Sequence, residues 1–321
     1  MKATLLNLCI IAVYITGCTY SLENTVTVPD TLRVTEDSLT NGMAEDSVPV
    51  SDAIFKEDII LDTVNDTTCS AETSPGFIRK RIESLVGSTI KEWLEEKELV
   101  YPPAYVLFRV FKLEQEMEIW AGNTAGDSLR LIRTVHVCAI DNYPCPKVVQ
   151  GDCKTPEGFY NCSFLYGSTY GFMWIKLNTG AVDDYGKTGY GSSFKLLLDY
   201  PNALDAARTR TFAPDKSTGG EICMHGNCVT AGCISFENRV FLTVYAFAGM
   251  HDTKRFGPLQ VHIFPFRFTD KLKTMYCSDS ELMDNESVLN FWNNLEEGCS
   301  FFDSIRRPMK ITASKNGYRF E

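Results

Sequence analysis

Apolar and polar positions follow three different rhythms along the chain. Leu5–Ile15 is a mostly apolar run behind Lys2, too short for a stable membrane span. Residues 19–72 carry Thr, Ser, Asp, Glu and Val with scattered Pro, and sustain neither period 2 nor period 3.6, which predicts a disordered segment. Ordered patterning begins near Ser74-Pro75. From there Phe77, Ile78, Ile82, Leu85, Val86, Ile90, Trp93 and Leu94 share one stripe, which predicts an amphipathic helix ended by Pro102-Pro103. The period then shortens. "AYVLFRVFKLEQEMEIWAGNTAGDSLRLIRTVHVCAI" breaks into β-rich runs at Gly122-Asn123 and Gly126-Asp127, which predicts at least three strands. "FYNCSFLYGSTYGFMWIKLN", "FKLLLDYP" and "LQVHIFPFRF" predict more. After Cys233 the spacing becomes helical, with Ser235 as N-cap and Gly249 near the end. "NESVLNFWNNLEEG" predicts a helix stopping at Gly298, and "MKITASKNGYRFE" a hairpin turning at Asn316-Gly317. No repeat of 20–50 residues is present.

Composition refines this division. Of 321 residues, 44% are hydrophobic and 12% aromatic, enough for a sizeable core. The formal net charge is −10, but residues 19–72 hold 12 acidic and two basic side chains, leaving 29 acidic and 28 basic for residues 73–321. The folded part is nearly neutral, with no basic footprint for nucleic acid. The apolar run near the start reads as a secretory signal over 1–17. It ends in Ile15-Thr16-Gly17-Cys18, which resembles a bacterial lipobox and implies cleavage before Cys18 and lipidation of its thiol. Residues 18–72 then form an acidic tether with an r.m.s. reach of about 40 Å. The expected organisation continues with an amphipathic helix over 73–100, a catalytic domain over 101–270 and a C-terminal helix and hairpin over 271–321.

The densest chemistry lies in "GGEICMHGNCVTAGCISFEN", with Cys223, His225, Cys228 and Cys233. Zinc usually takes four ligands from two close pairs, and here the candidates crowd into eleven residues with no second cluster. No metal or cofactor is expected. Nine cysteines remain once Cys9, Cys18 and Cys233 are set aside, an odd number, and buried free thiols are the reading for most of them, with Cys228 structural. The nucleophile reading is more coherent. A cysteine attacks as thiolate and needs a base or a positive field. His225 supplies the base, Gly226 and Gly232 admit a substrate backbone, and a helix starting after Cys233 lowers the thiol pKa and donates N–H groups to an oxyanion. His136, His251 and His262 are read as packed or exposed histidines; His251, at a helix end, is where a cation is mildly favoured. "GKTGYGSSF" has the wrong spacing for a phosphate loop.

His225-Gly226 followed by Gly232-Cys233-Ile234 resembles the signature of the YkuD-type L,D-transpeptidases. "GDCKTPEGFY", "LDYPNALD", "VHIFPFRF" and "FWNNLEEG" are similar to further blocks of that family and of its YafK-like subgroup, so the resemblance runs from about Tyr101 to the C-terminus. It implies an α+β, β-rich fold: a YkuD-like β-sandwich core with flanking helices and a C-terminal helix-hairpin extension. It implies Cys233 as nucleophile, His225 as general base and then acid, and Gly232 in the oxyanion-hole region. Gly226, Thr230, Ser235 and Tyr200 become candidate substrate contacts, with Thr230 where most of the family has Ser and Ser235 where it has Arg. The implied substrate is the peptidoglycan stem peptide, attacked between its third and fourth residues to form a thioacyl-enzyme that an amine resolves. A hydrolase or amidase acting on stem or wall-protein bonds, and a non-catalytic wall-binding lipoprotein, are the alternatives. The implied location is the bacterial envelope, with the domain facing the periplasm from a lipid anchor and a wall-linked protein as a further partner.

Overall fold

The stripe that begins near Phe77 folds as helix α1 (Pro75–Glu95), and its Ile82, Val86, Ile90 and Leu94 are buried. The structure is a computed structural model, and it describes residues 75–321 apart from Ala125, 167–173, 177–181, 184–190, Ser193, Asn227, Lys271 and 273–282. The signal, Cys18, the tether and most of the Gly186–Phe194 loop lie outside the described residues.

The strands are β1 (Tyr105–Phe111), β2 (Glu116–Gly122), β3 (Arg130–His136), β4 (Gly158–Tyr166), β5 (Trp174–Lys176), β6 (Val182–Asp183), β7 (Gly191–Ser192), β8 (Phe194–Leu198), β9 (Cys223–His225), β10 (Ile234–Ser235) and β11 (Leu259–Phe264), with β12 (Ile311–Ser314) and β13 (Gly317–Phe320) as a closing hairpin. Helices α2 (Ala203–Phe212), α3 (Asn238–Met250), α4 (Thr253–Phe256) and α5 (Asn285–Ile305) complete the described elements. Eight strands form the main sheet in the order β10-β9-β8-β4-β11-β1-β2-β3, and β6-β5-β7 form a small separate one. Strands β1 and β11, and β9 and β10, pair in parallel. The other neighbours in the main sheet are antiparallel. The fold is α+β and β-rich.

Helices cover both faces of the central strands. Along β1, Val106, Phe108 and Val110 join α1 and α3 in one core, containing Ile82, Val86, Phe241 and Tyr245. The alternate residues Tyr105, Leu107 and Phe111 face the clusters that hold α5 residues such as Trp292 and Phe302. All seven β1 residues are buried, as expected for a strand covered on both sides. Each fully buried large side chain contributes about 1.5–3 kcal/mol through lost apolar exposure.

Two element boundaries differ from the sequence reading. Ser235 does not cap a helix: it belongs to β10, and α3 starts at Asn238 with Glu237 as an N-cap that makes no side-chain cap bond. Helix α5 does not stop at Gly298 but continues to Ile305. That glycine meets a packing need, because a Cβ there would lie 2.4 Å from the Phe320 ring and 2.5 Å from the Phe159 ring. His251 sits at the end of α3 as expected, but not as a cation. It is buried, its Nδ1 accepts from the Val106 N–H at 3.1 Å, its Nε2 donates to the Gly257 carbonyl at 3.1 Å, and burial lowers its pKa.

Candidate active site

The register of the sheet edge decides what the opening cluster becomes. Strand β4 pairs Cys162 with Leu198 and Phe164 with Leu196, and β8 pairs Leu196 with Met224 of β9, which pairs with Ile234 of β10. Cys162, Leu196, Leu198, Met224 and Ile234 belong to the core shared with α1 and α3, with Phe164 packed against it. Side chains alternate along a strand. The intervening residues Ser163, Leu197, Cys223, His225 and Ser235 therefore share the opposite face. Continuing the β8–β9 register by one residue brings Lys195 beside His225, and the positive charge of Lys195 acts on Cys223. Continuing the β9–β10 register by one residue brings Cys233 beside Cys223.

His225 is 3% exposed, and its Nδ1 lies 2.6 Å from the Gly226 carbonyl oxygen. A carbonyl only accepts, so Nδ1 carries a proton and Nε2 is the nitrogen left to share one with Cys233, to which His225 is hydrogen-bonded. The buried Ser235 hydroxyl donates to the same Gly226 oxygen at 3.0 Å. The backbone holds this arrangement from both sides. Phe236 N–H donates to the His225 carbonyl at 2.9 Å, and Ser235 exchanges N–H···O bonds with Ala139.

Cys233 is half-buried. Its thiol is pulled down to about 4, first by a hydrogen bond from Cys223, then, against the opposing effect of burial, by the hydrogen bond and charge of His225. Cys223 is 1% exposed and shifts the other way, raised by the same bond to Cys233 and then by burial. Both sulfurs approach the Glu221 carbonyl oxygen, Cys223 Sγ at 3.3 Å and Cys233 Sγ at 3.9 Å. The expected cause of a depressed thiol pKa, a helix N-terminus directly after Cys233, is replaced by these two side chains, because β10 separates Cys233 from α3.

Gly232 shapes the approach to Cys233. It has φ +119°, and a Cβ would meet the Lys154 carbonyl oxygen at 2.8 Å, so both backbone conformation and space require glycine. Its N–H donates to Thr230 Oγ1 at 3.0 Å, and that hydroxyl donates to the Cys233 carbonyl at 2.6 Å. The Gly232 N–H is thus committed to this turn. Gly226 contributes its carbonyl, as above. Tyr200 is 5% exposed and its hydroxyl donates to the Thr218 carbonyl at 3.0 Å, so it braces the segment leading into β9. Cys228 forms a disulfide with Cys138, 90 residues earlier, which ties the β9–β10 loop to the chain after β3. Cys145, Cys162, Cys223 and Cys299 are buried free thiols, and Cys153 is disulfide-bonded. His136 is exposed at the end of β3. His262 is buried among Phe159, Phe264 and Phe302 on the α5 side of β11.

The roles of Cys223 and Lys195 escaped the sequence reading. The available signal was strand alternation: Cys223 and His225 stand two residues apart and so share a face.

The Gly151–Tyr160 block supports the site from below. Asp152 accepts the backbone N–H groups of Val148, Val149 and Lys154, which fixes the turn that presents the Lys154 carbonyl to Gly232.

No protein-family profile matches the chain. The chain is 25% identical over 226 residues, 70% of its length and 76% of the relative's, to the Escherichia coli K12 protein named "Putative L,D-transpeptidase YafK". This chain is similar to YafK. The O157:H7 counterpart of YafK matches to the same extent. Among solved structures, the helical cell shape determining protein Pgp2 of Campylobacter jejuni is 19% identical, with 70% of this chain and 80% of that one covered at a TM-score of 0.33. Bd1075 of Bdellovibrio bacteriovorus is 16% identical, with 67% and 76% covered at a TM-score of 0.32. The YafK similarity agrees with the resemblance read from the His225-Gly226 and Gly232-Cys233 pairs.

Proposed function

We propose that this protein is a peptidoglycan-modifying cysteine L,D-transpeptidase. The observation that carries the reading is the linked set Cys233, His225 and Gly226: a half-buried thiol with a depressed pKa, hydrogen-bonded to a histidine whose other ring nitrogen is fixed by a backbone carbonyl. The similarity to YafK supports a peptidoglycan-related enzyme family and a cell-envelope location.

In this reading the Cys233 thiolate attacks the carbonyl between the third and fourth residues of a stem peptide. The C–N bond breaks, the thioester forms, and the leaving D-alanine amine takes a proton from His225 Nε2. An incoming amine then gives a proton back to His225 as it attacks the thioester, and the Cys233 thiolate is restored. The Nδ1–H···O=C bond to Gly226 keeps the ring oriented through both proton transfers, and the Ser235 hydroxyl steadies that carbonyl. Water in place of the amine would make the same site a hydrolase.

A labelled stem tetrapeptide with a second stem as amine acceptor tests the reading by product mass. The expected outcome is release of D-alanine with a cross-linked product, and neither from a folded Cys233→Ala variant. D-alanine release with free tripeptide alone would make the protein a hydrolase. Turnover retained by Cys233→Ala would remove Cys233 from the chemistry.

A further inference from the structure

Cys223 is a second thiol beside the candidate nucleophile, and the proposed reaction does not use it. We infer that Cys223 and Cys233 close into a reversible disulfide that switches the site off under oxidising conditions. This inference rests on Cys233 being the nucleophile.

Three observations carry it. The first is reach: Cys233 directly precedes β10, and extending the parallel register one residue beyond the Met224–Ile234 pair sets it opposite Cys223 of β9. Such strands lie about 4.8 Å apart, within the roughly 4.4–6.8 Å between Cα atoms that a disulfide spans. The second is orientation: the two sulfurs are hydrogen-bonded to each other and converge on the Glu221 carbonyl. The third is asymmetry: Cys233 is half-buried, whereas Cys223 is 1% exposed. An oxidant in solution therefore meets Cys233 first, and Cys223 waits behind it.

The thiolate character of Cys233 makes it the oxidisable member. Burial raises the pKa of Cys145, Cys162 and Cys299, Cys299 to about 12, so those thiols are comparatively inert. The neighbourhood already supports one disulfide, Cys138–Cys228.

The chemistry balances with a hydroperoxide as oxidant. The Cys233 thiolate attacks the peroxide O–O bond; with one proton this yields Cys233 sulfenic acid and the alcohol or water. The sulfur loses two electrons, which the O–O bond accepts. The Cys223 thiol then attacks the Cys233 sulfur, the S–S bond forms, and hydroxide leaves with the thiol proton as water. A dithiol reductant reverses the lock by exchange and is itself oxidised to its disulfide. The closed form has no thiolate for acylation. It also spares Cys233 the irreversible steps to sulfinic and sulfonic acid.

The test uses the folded protein with hydrogen peroxide, followed by cyanogen bromide cleavage after Met224. That cut separates Cys223 from Cys228 and Cys233, so their fragments stay joined only through a new disulfide. The expected result is a Cys223–Cys233 cross-link, loss of Cys233 alkylation, and recovery of both by a dithiol. In Cys223→Ser the same treatment is expected to carry Cys233 to sulfinic acid, a mass gain of two oxygens. Wild-type Cys233 reaching sulfinic acid without a cross-link, at the same rate as Cys223→Ser, would overturn the inference while leaving the nucleophile reading intact. A cross-link that forms while stem-peptide turnover continues unchanged would overturn both, because turnover would then not need a free Cys233.

Discussion

At the scale of single residues, the site is a problem in proton placement. His225 is useful because one ring nitrogen is committed: Gly226 O holds Nδ1, and Ser235 holds Gly226 O. Cys233 is useful because two neighbours favour its charged form more strongly than burial disfavours it. An ordinary thiol ionises near pH 8.5. Here the thiolate fraction is expected to persist well below that pH, because the bonds from Cys223 and His225 favour the charged form. Alkylation of Cys233 by iodoacetamide should therefore be nearly pH-independent from pH 8 to pH 6, with its midpoint in the acid range. His225→Ala removes a hydrogen bond and a positive charge, so the midpoint should move to higher pH and alkylation at pH 6 should slow. A wild-type midpoint near 8.5, or an unmoved midpoint in the variant, would contradict this account. The Cys233–His225 pair was legible in the sequence because its glycine neighbours mark close approach. Ser235 reads from the sequence as a helix N-cap and not as a strand residue, because a two-residue strand leaves too short a pattern to show a period.

At the scale of elements, most of the chain could be read from its rhythm. The α1 stripe, the β1–β2–β3 runs, β11 and the closing hairpin each repeat their period often enough to be recognised. What failed were punctuation marks. Gly298 looks like a helix stop, yet it sits inside α5, where Phe320 and Phe159 crowd the helix backbone. Long-range packing sets that need, and no local pattern announces it. Helix propensity alone favours alanine over glycine by about 1 kcal/mol, whereas forcing a side chain into a filled space costs about 1–3 kcal/mol. With ring atoms 2.4 Å from the would-be Cβ, the steric cost should win. Gly298→Ala is expected to lower the melting temperature and loosen the β12–β13 hairpin, seen as faster amide exchange at Tyr318. A variant more stable than the parent would show that the hairpin gives way freely. The family-like blocks also gain physical meaning at this scale. Asn202 of "LDYPNALD" caps α2, accepting from the Leu204 and Asp205 N–H groups, and its own N–H returns a bond to Asp205.

At the scale of the whole molecule, a buried charged cluster joins the layers. Lys112, 0% exposed, donates to the Cys145 and Thr155 carbonyls and to Glu157 Oε1, and lies 3.2 Å from Asp141. Burial alone would lower the Lys112 pKa, but Glu157 and Asp141 outweigh it and hold the ammonium above its ordinary value. The other Glu157 oxygen accepts from Trp292 of α5 at 2.8 Å. One carboxylate therefore links the β1–β2 turn, the turn that supports Gly232, and the helix on the far face. Glu157→Ala would leave the buried Lys112 ammonium with Asp141 and two carbonyls alone, and a buried indole N–H without its acceptor, a loss of up to about 3–5 kcal/mol. The double variant Lys112→Met/Glu157→Leu should recover part of that loss, because no fully buried charge is left there, while the part-exposed Asp141 loses its cation and Trp292 its acceptor. Denaturant unfolding of both variants checks this, and equal losses would show that the pairing is not what matters. The "GDCKTPEGFY" block marks this junction in the sequence. The partners of Glu157 were not legible, because Lys112 and Trp292 lie 45 and 135 residues away.

The central claim is that Cys233 is the acyl-accepting nucleophile, and the most direct measurement is the intact mass of the protein after brief exposure to a stem tetrapeptide without an acceptor. The expected result is a covalent adduct equal to the tripeptide acyl group, located on Cys233 by peptide mapping and absent in Cys233→Ala. No adduct under conditions where D-alanine is released, or an adduct on any other residue, would contradict it.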